Sequence, residues 1–191
     1  MIIIAVVLIL LAGGAYLVID KADQSRSQLP VLGTVPEFNF INYDGKEFDR
    51  NDLNDKISVV DFIFTRCKGP CPTMSGYMEE LYKKYENSDV VQFVSISVDP
   101  DYDSLNVLMQ YADDHGVTDD RWKFLHSDIE SVKNLCEGGF MLAADDLPGA
   151  HSTKFVLVDR QGQIRGYYSG TDEASIKILT TNINSLIKEL R

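Results

Sequence analysis

The amino-acid sequence predicts an α/β domain with a mixed central sheet, preceded by an apolar N-terminal segment. Three observations carry this prediction. Strand patterns alternate with helix patterns along the middle of the chain, the C-terminal third has the pattern of a hairpin followed by a helix, and residues 1–19 contain no charged side chain. Strands separated by helices form a sheet that the helices cover, and a terminal hairpin adds antiparallel strands to it.

Length and composition indicate one globular domain plus an appendage. The chain has 191 residues, of which 45% are hydrophobic and 25% charged, enough apolar material for a sizeable core. The formal net charge is −11. Because a nucleic-acid surface needs a clustered basic face, we expect no nucleic acid among the partners.

The apolar segment predicts a membrane anchor. A helix needs about 20 apolar residues to cross a bilayer, and "MIIIAVVLILLAGGAYLVI" fills residues 1–19. A cleaved signal peptide is the alternative, but it normally has a basic start, a shorter apolar core and a small-residue cleavage site, which residues 12–15 resemble only faintly. We predict a transmembrane helix at 1–19, a polar tether at 20–35 and a folded domain at 36–191.

The first half of the domain has the patterns of a hairpin, a buried strand and a helix. Residues 36–49 alternate apolar and polar side chains around Asp44 and Gly45, a pair suited to a tight turn. Residues 58–64 form a nearly continuous β-branched and aromatic run, typical of a strand covered on both faces. From residue 72 onward, apolar side chains recur at helical spacing, at Met74, Tyr77, Met78, Leu81, Tyr82 and Tyr85.

The middle of the domain repeats this alternation of strand and helix. Residues 91–98 have a second buried-strand pattern, and 104–116 have a helix pattern that ends at a glycine. The side chains predicted to face inward from that helix are Leu105, Leu108, Met109 and Ala112. Residues 122–125 predict a short strand, and 127–130 have the capping-box pattern that opens a helix towards Gly138.

The C-terminal third predicts the elements that close the sheet. Residues 154–169 have the pattern of a hairpin with its turn at 160–163. The chain then ends in a predicted helix whose apolar stripe consists of Ile176, Leu179, Ile183, Leu186 and Leu190.

Two of the three cysteines lie where the first buried strand passes into a helix. Cys67 and Cys71 follow that strand, with Pro72 directly behind. The N–H groups and dipole of a helix N-terminus favour a thiolate, so this position predicts a lowered cysteine pKa, and Lys68 acts in the same direction. A structural disulfide or two inert thiols is the alternative, but a stapled domain spreads its cysteines over longer loops. The pair alone does not separate redox work from metal binding.

His151 is the histidine that could complete a metal site, because its loop directly precedes a predicted strand of the central sheet. Two thiolates and one imidazole suit Cu(I) or Cu(II) and leave an open position for transfer. Zinc accepts the same donors with water as a fourth ligand, and lone loop histidines are often merely exposed. Of the other histidines, His115 lies at a helix end, where a cation is favoured, and His126 has no obvious partner.

At these residues the sequence resembles the SCO/SenC family of thioredoxin-fold copper proteins, which are associated with assembly of cytochrome c oxidase. The resemblance covers residues 36–190 and rests on four motifs in order, "DFIFTRCKGPCPTMSGYMEELYKKY", "VSISVDPDYDSLNVLMQYA", "RWKFLHSD" and "HSTKFVLVDRQGQIRGYYSG". It implies a thioredoxin-like three-layer fold and copper ligands at Cys67, Cys71 and His151. Lys68 departs from the proline that many members have there, and the loop before His151 is shorter than in some members.

The resemblance implies a membrane-anchored metallochaperone that binds one copper per chain, as Cu(I) or Cu(II), and delivers it to the Cu-A site of cytochrome c oxidase. Such a protein is not an enzyme in the sense of turnover. Besides the copper-bearing oxidase subunit, the expected partners are a thioredoxin-like reductant, another copper donor and the membrane. The implied location is the bacterial cytoplasmic membrane with the domain facing the periplasm or cell exterior, since an Arg-rich mitochondrial presequence is missing.

Two other functions would use the same cysteines. A thiol-disulfide reductase that keeps the copper-site cysteines of the oxidase reduced needs Cys67 and Cys71 as a redox-active pair but does not need His151. A thiol peroxidase needs one activated cysteine with a nearby Thr and Arg, which Thr65 and Arg66 supply. The close second cysteine and the histidine disfavour the peroxidase.

Other side chains near the motifs have plainer interpretations. Met74 and Met78 share a helical face with the second cysteine, yet core packing is commoner for such methionines than thioether ligation. Cys136 is predicted to be a buried free thiol. Asp99 and Asp103 are expected to take turn and helix-cap roles, although they could also shape the rim of the site.

Overall fold

The computed structural model describes residues 29–149 and 151–189. In that part of the chain the strands are β1 (Gly33–Thr34), β2 (Asn39–Asn42), β3 (Glu47–Asp49), β4 (Ile57–Ile63), β5 (Val91–Ser97), β6 (Trp122–His126), β7 (Lys154–Val158) and β8 (Gln163–Ser169). The α-helices are α1 (Cys71–Lys84), α2 (Leu105–Asp114), α3 (Ile129–Asn134) and α4 (Glu173–Lys188). A 3₁₀ helix (Arg50–Leu53) follows β3, and a π-helical turn (Leu135–Gly139) continues α3.

The eight strands form one mixed sheet in the order β1-β8-β7-β4-β5-β6-β2-β3. The central strands β4, β5 and β6 are parallel to one another. β7 pairs antiparallel with β4, and the hairpins β7-β8 and β2-β3 extend the sheet on either side. The predicted mixed α/β sheet is therefore confirmed, and with it the two hairpins.

Helical segments cover both faces of this sheet. All seven residues of β4 and of β5 are buried, as their apolar patterns predict. Val60 and Val94 belong to a core cluster with Val132 of α3. On the opposite face, the ring of Tyr82 from α1 lies 6.1 Å from that of Phe93 in β5. Three layers of secondary structure result.

Two details of the helices differ from the sequence pattern. Met109 is 41% exposed although its spacing places it with the inward residues of α2, whose buried side chains are Leu108 and Ala112. The inward stripe of α2 is thus narrower than predicted, and Met109 lies on the flank that is open to solvent. In α4 the buried residues are Ile176, Leu179, Ile183 and Leu186, and the predicted stripe position Leu190 lies outside the described residues.

The described part of the predicted tether includes sheet residues. Gly33 and Thr34 pair with β8 as β1, and the Leu32 amide donates to the Ile164 carbonyl at 2.8 Å. Val35 is buried, and its carbonyl accepts from Arg50 Nε at 2.9 Å. Gly33 and Thr34 have no strand pattern in sequence, so backbone hydrogen bonds to β8, rather than side-chain periodicity, bring them into the sheet.

The predicted transmembrane helix at 1–19 lies outside the described residues. Among the described residues, no helix is both long enough and apolar enough to cross a bilayer.

The topology brings four loop regions to one edge of the sheet. The carboxyl ends of parallel β4, β5 and β6 lie at the same edge, and the amino end of antiparallel β7 joins them there. The segments after β4 and after β5, the end of β6 and the loop before β7 therefore meet. This is the edge at which open α/β sheets place ligand sites.

Candidate metal centre

The three predicted ligands come together at this edge. The sulfur atoms of Cys67 and Cys71 and a ring nitrogen of His151 all lie within 4.8 Å of one another. Cys67 is partly exposed, whereas Cys71 and His151 are 1% and 8% exposed. The cysteines are free thiols in the structure. Within the described chain this is the one cluster of three His, Cys, Asp or Glu side chains with a spacing that could hold a metal ion.

Cys71 opens helix α1 and points into the core. Pro70 precedes the helix and Pro72 occupies its first turn, where a missing N–H costs nothing. The buried side chains of this helix include Met74, Met78, Leu81 and Tyr82, so packing fixes its orientation and that of its first residue.

The pKa of the Cys71 thiol is shifted upward, whereas its position at a helix N-terminus predicts a downward shift. Burial raises the pKa of Cys71 to about 12, and the nearby Cys67 sulfur adds to the rise, although a backbone hydrogen bond at Phe64 opposes it. Loss of hydration on burial therefore outweighs the stabilisation that a helix N-terminus gives to a thiolate. In the metal-free protein Cys71 is a neutral thiol, so a metal ion that bound there would have to displace its proton.

His151 presents one ring nitrogen to the thiol and the other to the backbone. Its Nε2 lies 3.3 Å from Cys71 Sγ, and its Nδ1 lies 3.0 Å from the Ser152 carbonyl. A carbonyl oxygen only accepts, so Nδ1 carries the proton and Nε2 keeps a lone pair aimed at the cysteines. Burial lowers the pKa of His151, which favours the neutral ligand form. The Phe64 ring meets the imidazole edge-on at 5.4 Å and helps to fix its plane.

Cys67 lies at the end of a tight turn between β4 and α1. The Cys67 amide donates to the Phe64 carbonyl at 3.2 Å, so Thr65 and Arg66 are the two central residues of the turn. The Cys67 sulfur accepts a hydrogen bond from the Gly69 amide at 3.4 Å. No regular element contains Cys67, so its position depends on what holds this turn.

Two carboxylates from the segment after β5 hold the turn; the sequence left a role at the rim of the site open for them but did not identify their partners. Asp103 accepts from the Thr65 amide at 3.2 Å and from the Thr65 hydroxyl at 2.5 Å. Asp99 pairs with Arg66 at 2.6 Å. The expected cap role of the Asp103 side chain is wrong, because helix α2 starts after Ser104 with no side-chain cap. Local spacing suggests a cap, but it carries no sign of a partner 38 positions away.

The remaining polar and sulfur side chains take structural positions. Met74 and Met78 are fully buried in the core, and Cys136 is a buried free thiol, as predicted. His115 follows the last residue of α2 and contacts Glu79 at 3.3 Å. His126 donates from Nδ1 to the Asp103 carbonyl at 3.1 Å, which supplies the partner that the sequence does not reveal.

Two sulfurs and one imidazole nitrogen suit a soft metal ion that can be passed on by ligand exchange. Thiolates select Cu(I), imidazole also suits Cu(II), and three protein ligands leave a coordination position open. Zinc would need a fourth ligand to complete its tetrahedron. Cys67 is the partly exposed residue of the cluster, so an incoming ligand would approach from its side.

Fold and site together define a thioredoxin-like domain that carries a Cys-Cys-His cluster at the edge of its sheet. The sequence model of SCO1/SenC matches residues 26–188. The chain belongs to the SCO1/SenC family.

Bacterial relatives are similar over nearly the whole domain. The SCO1 protein homolog of Bacillus subtilis is 28% identical over 92% of this chain and 94% of its own length. The crystal structure of a SCO1/SenC family lipoprotein from Bacillus anthracis is 31% identical, covers 83% of this chain and 97% of that chain, and has a TM-score of 0.76. BsSco, a member of the Sco family of cytochrome c oxidase assembly proteins in which a disulfide switch was identified, is 27% identical, with 84% and 98% covered and a TM-score of 0.72.

A copper-bound relative shares the fold at greater distance. Yeast Sco1 crystallised with copper bound is 24% identical, covers 82% of this chain and 90% of that chain, and has a TM-score of 0.63. At this identity the likeness shows a common fold.

Proposed function

We propose that this protein is a membrane-tethered copper chaperone that binds one copper ion through Cys67, Cys71 and His151 and delivers it to the Cu-A site of cytochrome c oxidase. The observation that carries the proposal is the convergence of two sulfurs and one imidazole nitrogen within 4.8 Å at the edge of the sheet. Family membership supports it, because BsSco belongs to a family of oxidase assembly proteins and yeast Sco1 holds copper.

The asymmetry of the three ligands suits delivery rather than storage. Cys71 and His151 are buried, while Cys67 is partly exposed and ends a turn. An acceptor thiolate can enter the open coordination position, and Cys67 can leave as the copper passes across. Such an exchange breaks one copper-sulfur bond as another forms, so copper is never released into solution.

The N-terminal part of the chain supports copper delivery at the membrane. Residues 1–19 are long and apolar enough for a transmembrane anchor, and residues 20–35 would serve mainly as its tether. The domain at 36–191 would then face the periplasm or the cell exterior, where it would meet the copper-bearing oxidase subunit, another copper donor and a thioredoxin-like reductant.

Thiol-disulfide reduction of the oxidase cysteines is the second candidate function. The proximity of two free cysteines favours it, since an exposed thiol can attack a disulfide and a neighbouring thiol can resolve the mixed disulfide. Cys67 would be the attacking residue because burial raises the pKa of Cys71. This function has no use for the Nε2 of His151.

The deciding experiment is an anaerobic copper titration of the reduced full chain in detergent, with His151→Ala and the control His115→Ala. We expect one equivalent of copper and a thiolate-to-Cu(II) absorption band in the wild type and in His115→Ala, and loss of the band in His151→Ala. Transfer to a metal-free Cu-A domain would then be followed by the colour of the acceptor. A wild type that binds no copper would refute the proposal, and equal binding by His151→Ala would favour the reductase.

A further inference from the structure

Buried side chains and backbone contacts give Cys71 and His151 their positions, but Cys67 depends on its turn. The Phe64 carbonyl and the Cys67 amide close that turn at 3.2 Å, and Thr65 lies at its first central position. Any rotation about the Thr65 backbone moves the Cys67 sulfur relative to the other two ligands. The contacts of Thr65 therefore decide whether the three donor atoms stay within reach of one ion.

Asp103 is the side chain that holds Thr65. It is 0% exposed, and its carboxylate lies within 3.3 Å of the Thr65 amide through both oxygens. The Thr65 hydroxyl donates to Oδ1 at 2.5 Å, and the Ser97 hydroxyl donates to Oδ2 at 2.6 Å. Hydrogen bonds to a carboxylate are stronger than those between neutral groups, and burial strengthens them further.

The backbone of Asp103 makes two further hydrogen bonds. Its amide donates to the Asp99 carbonyl at 2.9 Å, and its own carbonyl accepts from His126 Nδ1 at 3.1 Å. Ser97 is the last residue of β5, and His126 the last residue of β6. The ends of two central strands thus hold Asp103, β5 through its carboxylate and β6 through its backbone carbonyl.

The second contact that holds the turn, the ion pair of Arg66 with Asp99, is more exposed to solvent. Arg66 pairs with Asp99 and lies over the Tyr102 ring at 4.8 Å, but its side chain is 54% exposed. Solvent around the guanidinium screens this ion pair, although Asp99 itself is 6% exposed and bonds Arg66 through both oxygens. Of the two carboxylates that reach the turn, Asp103 is the one that is 0% exposed and that also accepts from the turn backbone, at the Thr65 amide.

We propose that Asp103 is a positioning residue of the metal centre, which holds Thr65 so that the Cys67 sulfur stays within coordination distance of Cys71 and His151. The proposal rests on the proposed copper function where copper is the probe. It also makes a claim about the metal-free protein, because the same contact restrains Cys67 when no ion is bound.

The test compares Asp103→Ala and Thr65→Val with two controls in the reduced full chain in detergent. Thr65→Val removes the hydroxyl and keeps the shape, Thr65→Ser keeps the hydroxyl, and Asp101→Ala removes an exposed carboxylate from the same loop. Cu(I) affinity is measured by competition with a chromophoric chelator, and the thiolate-to-Cu(II) band is recorded. Alkylation of Cys67 by iodoacetamide is timed by peptide mass in metal-free protein.

We expect Asp103→Ala and Thr65→Val to bind Cu(I) about 10- to 100-fold more weakly, as losses of outer contacts to metal ligands generally do. Their absorption band should shift, and Cys67 should be alkylated faster than in the wild type. Thr65→Ser and Asp101→Ala should match the wild type in all three measurements.

Each contrary outcome has a distinct meaning. If Thr65→Val keeps both the wild-type affinity and the wild-type alkylation rate, the positioning role is refuted, even if Asp103→Ala fails to fold. The role would likewise be refuted if the variants only melted at a lower temperature, with the absorption band and the alkylation rate of Cys67 unchanged. The contact between Asp103 and Thr65 would then stabilise the fold without positioning Cys67. If the wild type binds no copper, the proposed function fails, and the alkylation rates still decide the positioning of Cys67.

Discussion

The Nε2 of His151 lies 3.3 Å from the Sγ of Cys71, although 80 positions separate the two residues in the chain. The antiparallel pairing of β7 with β4 accounts for this, because it returns the chain to the edge where β4 ends. The imidazole then faces the thiol with its free lone pair, since the backbone occupies the other ring nitrogen.

Copper affinity should depend on pH through Cys71. Burial raises the pKa of this thiol to about 12, so binding must release its proton, whereas the lowered pKa of His151 leaves that ligand neutral already. We expect the apparent Cu(I) affinity of the full chain to rise by at least about tenfold per unit between about pH 7 and 8, because the Cys71 proton alone contributes that factor. Competition titrations at several pH values measure this. Cys136→Ser, which removes a buried thiol outside the cluster, should show the same slope, and a flat profile would contradict the assignment.

Asp61 should make the stability of the protein fall as the pH rises. This residue of β4 is fully buried, and burial raises its pKa from 3.8 to about 7 although the Ser95 hydroxyl donates to it at 2.7 Å. The folded state therefore holds a proton that the unfolded state loses. The stabilisation is complete below about pH 4 and disappears as the pH rises through about 7, at about 1.4 kcal/mol per unit in between.

The check is denaturant unfolding of wild type and Asp61→Asn at pH 5 and pH 8, followed by the fluorescence of Trp122, the single tryptophan of the chain. Asp61→Asn should lose this part of the pH dependence, so its free energy of unfolding improves relative to wild type at the higher pH. Asp101→Asn, on an exposed loop, serves as control. An equal difference between Asp61→Asn and wild type at both pH values would show that Asp61 does not hold the proton.

Met74 should behave as a core residue and not as a copper ligand. Its side chain is 0% exposed and packs in helix α1 one turn after Cys71. We expect Met74→Leu to keep the copper stoichiometry and absorption band and to cost less than about 1.5 kcal/mol, because the volume is conserved. Met74→Ala should cost about 2–5 kcal/mol by leaving a cavity. A band displaced in Met74→Leu would identify the thioether as a ligand instead.

Gly170 should not accept a side chain. A Cβ there would lie 3.0 Å from Met74 Cγ and 3.1 Å from the Thr153 carbonyl, which already accepts from the Gly170 amide. We expect Gly170→Ala to lower the free energy of unfolding by about 1–3 kcal/mol through overpacking. Gly138→Ala is the matched control, since its Cβ would meet nothing within 4 Å. Equal melting temperatures for Gly170→Ala and Gly138→Ala would contradict the expectation.

Periodicity and turn chemistry in the sequence predict most of the fold. The continuous apolar runs identify β4 and β5, and helical spacing identifies α1 and α4, because side-chain burial imposes these patterns locally. The cysteine pair is visible for a similar reason, as it lies at a recognisable strand-to-helix junction. His151 needs the family resemblance as well, since its proximity arises from strand pairing across 80 positions.

Features that depend on burial or on contacts between distant residues cannot be predicted from local sequence patterns. The helix N-terminus suggests a lowered thiol pKa for Cys71, but the depth of the side chain reverses the direction. Asp103 has the position of a turn residue, and nothing near it in sequence points to Thr65. Gly33 and Thr34 look like tether and become β1 through backbone bonds to a strand made much later.

The pairing of β7 with β4 also sets an order of events during synthesis. Val60 of β4 lies opposite Val156 of β7, so the loop with His151 reaches the cysteines only after the ribosome has released most of the domain. A nascent chain that exposes Cys67 and Cys71 offers two sulfurs without the imidazole. An ion captured at that stage would be held by an incomplete set of donors, and all three donor atoms would come together only after the C-terminal third has docked.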